Sequence, residues 1–486
     1  MSDASNDLFP TFGRGADAFG RFMRSRGMRI TLLCAVGGLL LLAGLDGAGV
    51  EYGKAQVEVK LAALRKEGVA LKAEDLAPKP VPEAENAALL YVKAGDLLEG
   101  RTKSHRDSQA SVEYYRPRDL NDPAKAARYI EANADVLAMV RKAADMPHCV
   151  FSVDWRDPLA AVTPYAWRMS RLSRLVALRA CQASRAGDQS EALDLLRVGF
   201  VMARRMNEHS QLTDQIVAWA IDHATMEAAF EIVGRGGLTE AKAGELAEEL
   251  RRVDYVGGLN RAVQFDGAEG LWLFDLLRKD PDAFIRECVS DSDDRAALQK
   301  AIWRAYATVL RPLTYADEMT FLERMEKVRA ASKLPARDSA RQWREIRTEG
   351  QDLPPLASMA DEVAGLPDRS VFRRDEAIAR RALVGAVLGV ELCRQKMGRY
   401  PATLDDVRKT LDWKIAEDPF SGKDLVYKQV GETYLLYSIG EDLKDDGGTP
   451  TWDDLQAVGE AKGKRPSAAE AQRGDIVWMG TWKGRK

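Results

Sequence analysis

The residues best suited to chemistry in this chain are the carboxylates of one short loop, Glu441–Gly448 (EDLKDDGG). Carboxylates that a tight glycine turn separates can converge on a hard cation, and main-chain carbonyl groups can complete a shell of about six to eight oxygens. Lys444 lies among them and lowers the electrostatic gain. The loop is therefore a candidate calcium site, and the alternative is a solvated turn that follows a strand.

Other groupings of reactive residues are weaker. His148 and Cys149 are neighbours, and neighbouring side chains of an extended segment point apart, so they do not make a nucleophile and its base. The acidic cluster Ser290–Asp294 lacks the glycine of an EF-hand loop, and a helix cap is the better interpretation. The sequence contains no GxSxG, HExxH, P-loop or GxGxxG motif. No reaction can be assigned from motifs.

An uncharged run, Ile30–Leu45 (ITLLCAVGGLLLLAGL), decides in which compartment these residues act. As a helix it rises about 24 Å, and residues 47–50 can extend it toward a bilayer core of about 30 Å. Arginines precede the run, so the positive-inside rule places residues 1–29 in the cytoplasm as a leader and the bulk of the chain outside it. A cleaved signal peptide and a buried core helix are the alternatives. The long N-terminal segment favours an uncleaved signal anchor, a transmembrane helix over residues 30–50.

The charge balance argues against nucleic acid as a partner. Lys and Arg number 71 and Asp and Glu number 74, which gives a net charge of −3.

The 5 cysteines form no CxxC pair, so both disulfides and buried free thiols remain possible for them. The 4 histidines are too few to favour a histidine-based metal site or triad.

The middle of the chain predicts helices. Residues 51–82 are expected to form a stalk and a proline-rich link, and residues 83–332 a helical domain. At the junction Ala183–Leu196, the pattern AxxAGDxxxALxLL resembles the helix pairing of tetratricopeptide arrays, in which glycine permits a tight turn. Only one good unit is present, so a helical bundle and a short helix-pair stack both remain open. Residues 333–369 carry prolines among polar residues and are expected to be a linker.

Residues 370–486 are expected to form a small α+β module. A long apolar helical pattern comes first, and Asp424–Val430 and Thr433–Ile439 then predict a β-hairpin. Ile476–Met479 can supply a third strand. The expected fold class is mainly α: an N-terminal transmembrane helix, an extracytoplasmic helical bundle or short helix-pair stack, and a C-terminal α+β module with an antiparallel sheet.

The C-terminal module carries a family resemblance in three motifs: GRYPATL at residues 398–404, DPFSG at 418–422, and YLLYSIGED at 434–442 with DDGG at 445–448. This region, about Arg380–Asp454, resembles the C-terminal half of the major pseudopilins of type II secretion systems. In those proteins a GxYP-type turn follows the helix, a DPW-type turn precedes the hairpin, and an LYSxGxDG-type loop follows it. The whole chain is also similar to a group of membrane-anchored proteins, typical of planctomycete-type bacteria, that join a helical region to such an end.

The resemblance implies calcium ligands at Asp442, Asp445 and Asp446 and a location at the bacterial inner membrane, with the bulk of the chain in the periplasm. One departure matters. A prepilin site has a glutamate five residues after its glycine, whereas Leu32 stands five residues after Gly27. This difference argues against processing and filament assembly, and shared fold does not imply shared function.

Three functions follow as hypotheses. The leading one is a binding or scaffolding protein at the cell envelope, with a protein partner in a secretion or pilus-like apparatus; it predicts exposed apolar residues along one side of the helical region. The competing one is a periplasmic hydrolase with a site in the cleft between the two domains, for which Asp154, Asp222 and Asp266 are candidate members. The third is a calcium-stabilised structural module without a separate activity.

Overall fold

The computed structural model describes residues 47–105, 122–158, 163–289, 296–351, 369–457 and 473–481, together with the single positions 461, 462, 464, 466 and 467. The chain is mainly helical and has a small three-stranded antiparallel sheet, so the coarse fold class is confirmed. The predicted leader and the predicted apolar run lie outside the described residues. Among the helices that are described, none combines the length and the apolar character that a membrane crossing requires.

Ten α-helices are described up to residue 289. They are α1 (47–66), α2 (Ala87–His105), α3 (Pro123–Ala132), α4 (Ala134–Ala144), α5 (Pro164–Arg185), α6 (Gln189–Asn207), α7 (Leu212–Ile232), α8 (Glu240–Arg251), α9 (Tyr255–Lys279) and α10 (Pro281–Cys288).

The remaining elements include all of the described strands. They are α11 (Ala296–Thr308), α12 (Arg311–Ser332), α13 (Ala336–Gln351), α14 (Arg369–Met397), α15 (Leu404–Leu411), β1 (Val426–Val430), β2 (Thr433–Ser438), α16 (Trp452–Ala457) and β3 (Ile476–Val477).

The chain divides into two compact units. The first combines the chain up to Leu64 with Phe274–Thr320, and the second combines Arg65–Leu273 with Phe321–Lys486. The first unit therefore holds most of α1, all of α10 and α11, and the start of α12. The second holds the helices from α2 to α8 and everything after α12.

Local sequence signals set many helix ends. Asp122 and Asp188 each accept a hydrogen bond from a main-chain N–H in the first turn of the helix that follows, which satisfies a donor that the helix itself leaves open. Proline stands at the first position of α3 and α5, where its missing N–H has no cost. Asn133 separates α3 from α4, and its side-chain amide donates to the carbonyl of Tyr129.

The centre of the second unit is a group of three mutually packed helices, α5, α6 and α7. The predicted turn between α5 and α6 is present: Gly187 adopts a φ of 87°, which favours glycine, and Asp188 then caps α6. Gly199 of α6 lies directly against Thr225 of α7. Because a larger residue would meet Thr225 there, glycine permits the close approach of these two helices.

The long helix α14 belongs to this core as well as to the sheet. It packs against α7 and α8 along one part of its surface and against α15, β2 and β3 along another. Most of its middle is buried, including Leu383, Val387 and Leu388. The α+β module predicted from residue 370 onward thus shares its longest helix with the helical region.

The predicted hairpin has the expected register. β1 pairs antiparallel with β2, with Val430 opposite Thr433, and Gly431 takes a φ of 58° in the two-residue turn. β3 pairs antiparallel with the other edge of β2, with Val477 opposite Tyr437. The third strand predicted at Ile476–Met479 is therefore present, although it covers only its first two residues.

The segment predicted as a linker, residues 333–369, contains a helix, α13. Its Ala336, Ser339, Trp343 and Ile346 are buried and recur at helical spacing. Charged residues surround this narrow stripe, so the composition of the segment conceals the periodicity. The rest of the segment, residues 352–368, lies outside the described residues.

Candidate functional site

A groove of about 540 Å³ runs along one face of α2. Its lining comes from positions that share one side of the helix: Leu89, Val92, Lys93, Asp96, Leu97, Gly100 and Arg101. The other side of α2 faces the core, and Ala87, Tyr91 and Ala94 are buried there. The groove was missed because its apolar residues form a second helical stripe, which looks like part of a core.

Two charged side chains of this α2 groove are held in ion pairs. Arg101 donates to both carboxylate oxygens of Asp135, each at 2.8 Å. Asp96 forms an ion pair with Arg168 of α5 at 2.7 Å. Lys93 is exposed and has no ion pair with any described residue. The α2 groove thus offers apolar side chains beside one unneutralised cation.

Gly95, which is buried, allows α2 to lie close to α5. A side-chain carbon placed on Gly95 would lie 2.6 Å from Cβ of Arg168. Because such a distance is below van der Waals contact, only glycine allows α2 and α5 to approach this closely. The glycine keeps Arg168 in reach of Asp96 and so fixes the shape of the groove.

The predicted calcium loop is ordered by its own hydrogen bonds. Asp445 accepts from the hydroxyl of Tyr437 at 2.8 Å and from the N–H of Gly447 at 2.9 Å, and these bonds hold the pKa of Asp445 below its usual range. Asp442 accepts from the N–H of Lys444 at 3.1 Å. The carboxylates of Asp445 and Asp446 are exposed.

Two further aspartates that sequence reasoning missed hold this region together. Asp475 is fully buried and accepts from the N–H of Asp446 at 3.3 Å and of Gly448 at 2.7 Å. Burial raises the pKa of Asp475 to about 6, and the neighbouring Asp445 and Asp446 add to that rise. Asp418 accepts from the hydroxyl of Ser438 at 2.7 Å, which ties the DPFSG turn to β2. No sequence motif marks Asp475, because its partners lie 27 or more residues away.

The three aspartates proposed for a hydrolase have different surroundings. Asp154 is exposed and accepts from the N–H of Arg156 within its own turn. Asp222 is buried and bound by Arg381. Asp266 lies one turn from Glu269 on α9; burial, reinforced by the charge of Glu269, raises the pKa of Asp266 to about 8. Burial also raises the pKa of Glu269.

Asp222 sits in a buried polar network at the centre of the second unit. Arg381 of α14 donates to its two oxygens from Nε at 2.5 Å and from a terminal nitrogen at 2.8 Å. The hydroxyl of Tyr255 donates to the same carboxylate. The remaining Arg381 donors reach the carbonyl groups of Phe200, Glu249 and Leu250. Burial, the largest single influence, would lower the pKa of Arg381, but the charge and hydrogen bond of Asp222 together with the neighbouring Tyr255 and Glu249 raise it. The network is fully occupied by the fold and offers no free catalytic group.

A second buried cluster lies at the turn between α6 and α7. The hydroxyl of Tyr165 donates to Asp214 at 3.3 Å, and the rings of Phe151 and Tyr165 stack at 3.9 Å with His209 5.1 Å from Phe151. Among the described residues, the other oxygen of Asp214 and Nε2 of His209 have no hydrogen-bond partner. Burial raises the pKa of Asp214 to about 7 and lowers that of His209 to about 4. This cluster can exchange protons near neutral pH.

Within the ranges that the structure describes, no group of three or more His, Cys, Asp or Glu side chains is arranged to hold a metal ion. Comparisons of the chain with protein-family models, with curated proteins and with solved structures find no match.

Proposed function

We propose that the protein is a membrane-anchored extracytoplasmic binding or scaffolding protein of the bacterial inner membrane. Residues 30–50 form its single anchor, the N-terminus is cytoplasmic and the bulk of the chain is periplasmic. The α2 groove is the observation that carries the proposal, because exposed apolar side chains in a concave surface are typical of a place where a partner binds.

The chemistry of the groove favours an amphipathic helix of a protein partner. Leu89, Val92 and Leu97 would accept apolar side chains that recur at helical spacing. Lys93 would pair with a carboxylate on the same partner, since the other charges of the groove are already neutralised by Arg168 and Asp135.

The resemblance of the C-terminal module to pseudopilins supports a partner in a secretion or pilus-like apparatus. The residues that carry it, in the DPFSG turn and the following hairpin, form a compact part of the second unit through Asp418 and Asp475. The module would then dock at the apparatus while the α2 groove holds the partner.

Affinity purification of the tagged full-length protein from gently cross-linked membranes, read by mass spectrometry, tests this proposal. Leu89→Glu places a charge in the groove and should reduce partner recovery by about tenfold or more. Ile216→Glu is the matched control, because Leu89 and Ile216 are each 49% exposed. Unchanged recovery of partners with Leu89→Glu would contradict the α2 groove as the binding site. Recovery of the protein alone would contradict a binding role altogether.

The second candidate function is a periplasmic hydrolase. Asp266 and Glu269 favour it, because a carboxyl group whose pKa is raised to about 8 remains protonated at neutral pH and can act as a general acid. Recovery of the protein without partners would favour this candidate.

We also propose calcium at the Glu441–Gly448 loop, with Asp442, Asp445 and Asp446 as ligands. The pseudopilin resemblance supports it, and so does the proximity of Asp475, whose carboxylate adds negative charge behind the loop. Calcium would stabilise the module and supply no chemistry of its own.

A further inference from the structure

Helix α11 of the first unit carries an apolar face that is open to solvent. Leu298, Ile302 and Val309 are 63%, 50% and 71% exposed. With Ala301 and Ala305 they occupy positions i, i+3, i+4, i+7 and i+11, which form one continuous stripe on a helix. The stripe continues to the corner between α11 and α12, where Leu310 and Leu313 are also exposed. We call these seven residues the α11 face.

The rotation of α11 is fixed by its opposite side. Trp303 packs edge-on against Phe284 of α10 with ring centroids 5.1 Å apart, and against Tyr306 at 5.8 Å. The hydroxyl of Tyr306 donates to Asp317 at 3.0 Å and to the carbonyl of Leu313 at 3.2 Å. Because these contacts already bury one side of the helix, the α11 face cannot turn inward.

Basic residues predominate in the sequence of α11 and its ends. Residues 295–316 contain Arg295, Lys300, Arg304 and Arg311 and no Asp or Glu. Arg311 is exposed and Arg304 makes an ion pair with Asp282 at 2.9 Å. An apolar helical face bordered by Lys and Arg is typical of helices that lie in the interface of a membrane that contains anionic lipids.

The contacts of α1 place this face beside the predicted anchor. A side-chain carbon on Gly49 would lie 3.1 Å from Cβ of Pro312, and one on Gly53 would lie 2.7 Å from Cβ of Tyr315. The first turns of α1 therefore pack against the start of α12. Gly49 stands three residues after Asp46, where the apolar run ends, and three helical residues rise about 5 Å. The corner between α11 and α12 thus lies at the level where the chain would leave the bilayer.

We propose that the α11 face inserts into the boundary between headgroups and acyl chains of the membrane that residues 30–50 span. The partner is the surface of a phospholipid bilayer that contains anionic lipids. This inference rests on the anchor in the proposed function. The apolar stripe inserts into this boundary, the exposed Arg311 pairs with lipid phosphates, and the contacts of Gly49 and Gly53 hold the unit at the interface.

The experiment measures how deeply a labelled residue of the α11 face lies in the bilayer. It uses the full-length protein, reconstituted in vesicles of phosphatidylethanolamine and phosphatidylglycerol. Val309→Cys is labelled with an environment-sensitive fluorophore after Cys34→Ser and Cys288→Ser remove the other reactive thiols. Ala62→Cys in the same background is the control: Ala62 is exposed on α1 in the same unit, sixteen residues beyond Asp46 and so about 24 Å farther along the helix.

The emission of the label at Val309 should shift to the blue, should be quenched by nitroxide-bearing lipids and should resist quenching by aqueous iodide. The label at Ala62 should show no blue shift and no quenching by nitroxide-bearing lipids, and iodide should quench it. Iodide quenching at Val309 equal to that at Ala62 would overturn the proposal. A label at Val309 that is shielded from both quenchers would also overturn it, because a protein surface, such as a second copy of the chain, would then cover the α11 face.

A separate variant that keeps only Cys34 as a reactive thiol tests the anchor itself. Quenching of that label by nitroxide-bearing lipids supports the anchor. Its absence would contradict the anchor, whereas a quenched Cys34 with an iodide-accessible Val309 would contradict only the insertion of α11.

Discussion

Replacement of Arg381 by methionine should destabilise the second unit strongly. Arg381 is 4% exposed, and its removal would leave the buried Asp222 with Tyr255 as its only remaining side-chain donor among the described residues. A buried ion pair that loses one partner costs about 3–5 kcal/mol, because the other charge stays buried without compensation. Three carbonyl groups on two helices, α6 and α8, also lose their donor, which adds to the cost.

Urea unfolding of the detergent-solubilised full-length protein, followed by tryptophan fluorescence, measures this loss. Arg341→Met is the control, because that side chain is 84% exposed and pairs only with Glu345 on its own helix, so the free energy of unfolding should change by less than about 0.5 kcal/mol. The double variant Arg381→Met with Asp222→Asn should recover part of the loss, since the buried charge is gone. If Arg381→Met were as mild as Arg341→Met, the network would not hold the core together.

Two further predictions concern protonation and calcium. The pKa of Asp214 is raised from 3.8 to about 7, so its contribution to stability is fully present below pH 3.8 and is lost as the pH rises to 7. As the pH rises from 4 to 7, the free energy of unfolding of Asp214→Asn should therefore increase by about 3–4 kcal/mol relative to that of the native protein. Urea unfolding curves at several pH values measure this difference. A difference between the two proteins that does not change with pH would contradict the prediction. The lowered pKa of His209 makes stability change with pH in the opposite direction. This contribution is the same in both proteins, so it cancels when their free energies of unfolding are compared. Calcium should raise the melting temperature of the native protein but not that of Asp445→Ala, and a native protein without a thermal shift would remove the calcium proposal.

Local signals made some elements predictable. The turn at Gly187-Asp188 and the hairpin at Gly431 each depend on a backbone conformation that glycine adopts readily, and the cap at Asp122 depends on a side chain three residues from its donor. These features lie within a few residues of one another in the sequence. They can therefore be predicted without knowledge of the rest of the fold.

Other features depend on distant partners and could not be predicted. Arg381 is one of several arginines on α14, and nothing in its neighbours distinguishes it as the residue that meets Asp222 from 159 residues away. α13 was missed because only Trp343 and Ile346 stand out among its charged residues. The α2 groove was missed because exposed and buried apolar stripes look alike until the packing of the helix is known.

The separation of Asp222 from Arg381 also delays the closing of the core during synthesis. At about 5–20 residues per second, synthesis of the 159 intervening residues takes on the order of 10–30 s. During that interval α7 is completed and α8 and α9 are made, but the carboxylate of Asp222 still lacks the guanidinium that compensates its burial. The core can close only after α14 has followed, so the nascent helical region must stay hydrated or be held by a chaperone until then. The α2 groove belongs to the same unit, so it reaches its final structure only when the C-terminal module arrives.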